Sequence, residues 1–73
     1  MREWLKQVAG DLDLDPAVVL GHEEELLAMV SSVAHGPSRP GAPLSAFLAG
    51  VAVGRGAAAS EVAARVAELA EAP

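Results

Sequence analysis

The chain has 73 residues, ten acids against five bases, a net charge of −5 and no cysteine. It is 52% hydrophobic but only 3% aromatic, with 16 alanines, 9 valines and 9 leucines. A chain this short buries roughly 60% of the surface it exposes when unfolded. One small aliphatic domain is therefore expected, and a large enzyme, a multidomain assembly and a membrane-spanning bundle are excluded.

The acidity speaks against non-specific nucleic-acid binding, whose affinity comes from basic residues. The absence of cysteine excludes disulfides, thiolate zinc sites and cysteine nucleophiles. The start, Met1-Arg2-Glu3-Trp4-Leu5-Lys6, mixes charges into apolar positions and lacks the unbroken apolar stretch of a secretory signal. The expectation is a cytoplasmic protein with no membrane contact.

In chain order, Trp4, Leu5, Val8 and Leu12 share one helical face, with Gly10 as a natural stop. Trp4 reads as a core anchor. Asp15-Pro16 is a helix-start signal for a short turn up to Leu20, which Gly21 interrupts. His22-Glu23-Glu24-Glu25 then opens a longer helix, its acids matched to the positive end of the helix dipole. Leu26, Leu27, Val30, Val33 and Ala34 form its apolar arc, and Gly36-Pro37 ends it.

The stretch from Gly36 to Pro43 is a loop by composition, and Pro43 suits the start of the next helix. That helix carries Leu44, Phe47, Leu48 and Val51 on one face and Ala46, Ala49, Gly50 and Val53 on the other. Apolar all round, it is expected to be the buried central element. After Gly54-Arg55-Gly56, a last helix runs to about Ala70, with Ala59, Val62, Ala63, Val66, Leu69 and Ala70 inward and Arg65 able to pair with Glu61 or Glu68. No strand pattern is present. The fold class is all-α, a compact four- or five-helix bundle with short loops.

Charge is unevenly placed, since no acid lies between Glu25 and Glu61. His35, Arg39 and Arg55 fall in this window beside glycines, where a phosphate or a partner's carboxylate could bind. Cations near helix C-termini are favoured anyway, by up to ~1 kcal/mol, and this structural explanation carries more weight. Pro37, Pro40 and Pro43 recur every third residue, the spacing of a polyproline II turn, although a stiff connection accounts for them better. The acids Asp11, Asp13 and Asp15 lack the glycine and glutamate of a calcium loop. No second histidine follows His22 to make a zinc-peptidase helix, and no serine has a nucleophile-elbow setting. Gly50 and Gly54 spell a small-residue motif that would allow close internal packing, or a homodimer through the same face. No cofactor or metal is called for.

Three pieces together carry a family resemblance. They are Glu3-Trp4-Leu5, then Val33-Ala34-His35-Gly36 with Arg39-Pro40 and Ala42-Pro43-Leu44, and finally Phe47-Leu48-Ala49-Gly50 leading to Gly54-Arg55. The chain resembles a small helical domain of actinobacteria associated with molybdopterin-guanine dinucleotide biosynthesis, found alone or joined to a molybdenum cofactor guanylyltransferase. The resemblance implies a helical module linked to cofactor maturation, with that enzyme as a protein partner, and makes His35, Arg39 and Pro40 residues of interest. It implies no catalysis, because the enzyme's Gly-rich nucleotide loop is missing. The leading expectation is a non-catalytic accessory module acting by protein–protein contact. The alternative is an anion or nucleotide-phosphate binder using His35, Arg39 and Arg55.

Overall fold

The computed structural model describes residues 1–73 as five helices and no strand. They are α1 (Arg2–Asp11), α2 (Ala17–Leu20), α3 (Glu23–His35), α4 (Gly41–Gly54) and α5 (Ala59–Glu71). The all-α bundle with short connections is as expected, and it has five members. No helix is long and apolar enough to cross a membrane.

The signals for where helices begin are largely local. Asp15 Oδ1 accepts a 2.9 Å hydrogen bond from the Ala17 amide, so Asp15-Pro16 opens α2 as read. The acids Glu23, Glu24 and Glu25 fill the first turn of α3. Helix α4 starts two residues before Pro43, at Gly41, and Pro43 sits in the first turn, where an amide would lack an intrahelical partner. Gly10 does not stop α1. The stop comes at Asp13, whose φ is +61°, with Leu14 N–H donating to the Ala9 carbonyl at 2.8 Å and Asp13 N–H to the Gly10 carbonyl at 3.1 Å. This is a Schellman motif with aspartate in the left-handed position usually held by glycine.

Helices α3, α4 and α5 pack on one another, most extensively α3 on α5. Met29, Ala49 and Ala63, one from each helix, form the core, with Leu26, Val30, Ala46, Val62 and Val66 packed around them. Met29 lies outside the arc expected for α3. The true arc is Leu26, Met29, Val30 and Val33, rotated by about 50° at the helical step, and it leaves Leu27 exposed. At the far end, Ser32 Oγ donates to Glu71 Oε2 at 2.7 Å. Gly36 passes so close to α5 that a Cβ there would lie 2.9 Å from the Ala70 carbonyl oxygen.

Four expectations about burial and packing are overturned. Helix α4 is not wrapped by its neighbours: Leu44, Phe47, Leu48 and Val51 are 68%, 72%, 69% and 44% exposed. Its inward side is the small one, with Ala42 and Ala49 buried and Ala46 against the core. Small side chains let helix axes approach at the short end of the ~8–10 Å range, which favours this choice. Gly50 and Gly54 serve no internal packing either, since nothing lies within 4 Å of a Cβ built at either position.

Trp4 is not a core anchor but largely exposed, because α1 packs mainly on the short α2 and reaches α3 through an exposed ion pair, Arg2 to Glu23 at 3.2 Å. Leu69, expected inward on α5, is also largely exposed.

Candidate functional site

The exposed side of α4 is the surface that most needs an explanation. At 100° per residue, Leu44, Phe47, Leu48 and Val51 fill one arc of the helix, opposite Ala42, Ala46, Ala49 and Val53. Arg55, which caps the helix, follows Val51 by four residues and continues the same stripe. Nothing inside α4 is charged. A protein laid along it would therefore desolvate no ion until it reached the ends.

One flank of this stripe runs into a groove. Leu48 of α4, Val33 and Pro37 at the end of α3, and Val66 and Leu69 of α5 enclose an open space of about 270 Å³. Leu48 and Leu69 are the exposed rims.

The four residues singled out in the sequence are divided by the fold. His35, Arg39 and Pro40 lie at the junction of α3 with α4, and Arg55 lies at the opposite end of α4. Fourteen helical residues separate the two groups, a span of roughly 21 Å at ~1.5 Å per residue. They do not converge on one small anion. The His35 ring is tied to its own helix, with Nδ1 donating to the Ser31 carbonyl oxygen at 2.8 Å.

The backbone amides beside these residues are also largely engaged. Ser38 N–H donates to the Val33 carbonyl at 3.2 Å, Gly41 N–H to Ser38 Oγ at 3.1 Å and Ala42 N–H to the Arg39 carbonyl at 3.1 Å. Arg55, Gly56 and Ala57 amides donate to carbonyls in the last turn of α4. Pro40 has helical angles, φ −64° and ψ −23°, so the prolines form no polyproline II turn.

The charges differ in how they are used. Arg2, Lys6 and Arg65 pair with Glu23, Glu3 and Glu68 at 3.2, 3.6 and 3.5 Å. Arg39 and Arg55 are exposed and have no acidic partner in the chain.

The outward direction of α4 was not legible in the sequence, because both of its faces are apolar. The one usable signal was size: alanines recur on one side and Leu, Phe and Val on the other, and helices that pack closely put the small side inward.

No curated protein and no solved structure matches the chain. The full length, residues 1–73, matches the domain of unknown function DUF6457, and the chain belongs to that family.

Proposed function

We propose that the chain is a non-catalytic accessory module that works by protein–protein contact, and that the outward face of α4 is its contact surface. The observation that carries this reading is the exposure of Leu44, Phe47, Leu48 and Val51 side by side on one helix. Scattered apolar residues on a surface need no explanation, but a contiguous patch of large ones marks a binding site.

The surface area supports the same reading. A folded monomer of 7.4 kDa is expected to expose about 4,200 Å², whereas this chain exposes 5247 Å². The excess, roughly 1,000 Å², includes the α4 face together with the exposed Trp4, Leu12 and Leu14.

The resemblance carried by the Ala34-His35-Gly36, Arg39-Pro40 and Phe47-Leu48 segments makes a molybdenum cofactor guanylyltransferase the first partner to test. In calorimetric titration of the purified chain against that enzyme, binding is expected, and Phe47→Ser with Leu48→Ser should abolish it while leaving the helical circular dichroism unchanged. Undiminished binding by the double variant would remove α4 from the interface. Absence of binding by the wild-type chain would remove the enzyme as partner.

A further inference from the structure

We infer that the occupant of the α4 face is an amphipathic helix of another protein, bearing an apolar stripe and acidic residues beyond both ends of it. The inference rests on the reading of α4 as a docking face and adds the chemistry of what docks there. Of the five basic side chains, the three away from α4 pair with glutamates of this chain, and the two left without acidic partners stand at the two ends of α4, Arg39 two residues before its start and Arg55 as its C-cap. The protein is acidic overall, yet no carboxylate oxygen lies within 4 Å of either guanidinium.

This charge pattern also weighs against a second copy of the chain. Two copies joined face to face with their α4 helices side by side would set Arg39 against Arg39 and Arg55 against Arg55 if parallel, or Arg39 of one against Arg55 of the other if antiparallel. Both arrangements bring like charges together at each end, with no acid of α4 to offset them. A helix with carboxylates at both ends of its stripe instead meets an arginine at each end, over a span of roughly 21 Å. Its apolar side chains lie on Leu44, Phe47, Leu48 and Val51, and one of them enters the groove between Leu48 and Leu69. Carboxylates hold a special advantage here, because arginine binds them through two parallel hydrogen bonds.

The test uses the intact isotope-labelled chain and three synthetic helical peptides. All share one leucine stripe and differ only in the residues at its two ends, which are glutamate, glutamine or lysine. The glutamate peptide is expected to shift the amide signals of residues 44–51 and to bind about fivefold more tightly than the glutamine peptide at low salt, as two exposed ion pairs would give. That advantage should shrink as salt rises to about 0.5 M, where the screening length falls to a few ångströms. In the double variant R39E and R55E, the preference should move to the lysine peptide.

Equal affinity for all three peptides would overturn the inference and leave the docking face standing. Binding that persists in the Phe47→Ser, Leu48→Ser variant, or no binding by any peptide, would overturn the inference and the docking face together. A dimer in sedimentation equilibrium that Phe47→Ser dissolves would replace the acidic helix with a second copy.

Discussion

Two residues at helix ends answer to opposite constraints. Asp13 sits at φ +61° as the left-handed residue that terminates α1, a conformation that costs a non-glycine residue roughly 1–2 kcal/mol. Asp13→Gly is therefore expected to stabilise the chain by about 0.5–1 kcal/mol after the loss of unfolded-state entropy is counted. Chemical denaturation reads this directly, and a destabilised variant would mean that the aspartate side chain contributes more than the strain costs. Gly36 is the opposite case. A Cβ there meets the Ser32 carbonyl oxygen at 2.8 Å and the Ala70 carbonyl oxygen at 2.9 Å, both backbone atoms that cannot swing aside. Gly36→Ala is expected to cost ~1–3 kcal/mol, as overpacking does. Gly10→Ala, inside α1 with open space around it, should gain up to ~1 kcal/mol. Equal melting temperatures for these two alanine variants would contradict the close approach of α3 to α5.

Among the elements, α4 is where sequence and structure part. The helices themselves were legible. Asp15-Pro16, the Glu23-Glu24-Glu25 cluster, Gly36-Pro37 and Arg55-Gly56 each mark a boundary by local chemistry. The inward faces were legible only in part: Val62, Ala63 and Val66 of α5 face the core as their spacing requires, but Leu69 does not, and Met29 of α3 takes the place expected for Leu27. In α4 the two faces differ only in size, so spacing gave no direction, and the place of greatest interest for function was the least readable. The Arg39–Arg55 pair was likewise visible as two cations, but not as the unpaired charges at the two ends of one helix. The orientation of α4 has a direct consequence for substitutions. Phe47→Ser changes an exposed residue and should alter stability by no more than ~0.5 kcal/mol. Ala49→Leu forces three added carbons between α4, α3 and α5 and should cost ~1–3 kcal/mol. Were α4 buried by its large face, Phe47→Ser would be the damaging change, and urea denaturation of the pair separates the two arrangements.

The whole molecule is thin, with extents of 39 × 25 × 17 Å and six buried residues, five of them no larger than valine. A core of this kind places the isolated chain near the lower end of the usual stability of ~5–15 kcal/mol. A partner that covers α4 would add to that by mass action, about 2.7 kcal/mol at a hundredfold excess over Kd, so the melting temperature should rise with partner concentration. Which side of α4 meets water decides whether that helix is a docking face or part of the core. Paramagnetic relaxation by a soluble gadolinium chelate measures this in the dilute monomer, methyl group by methyl group. Strong broadening at Leu44, Leu48 and Val51, with the Met29 methyl and the Ala49 and Ala63 methyls protected, is the predicted pattern. Protection of the three large residues together with broadening at Ala49 would contradict it.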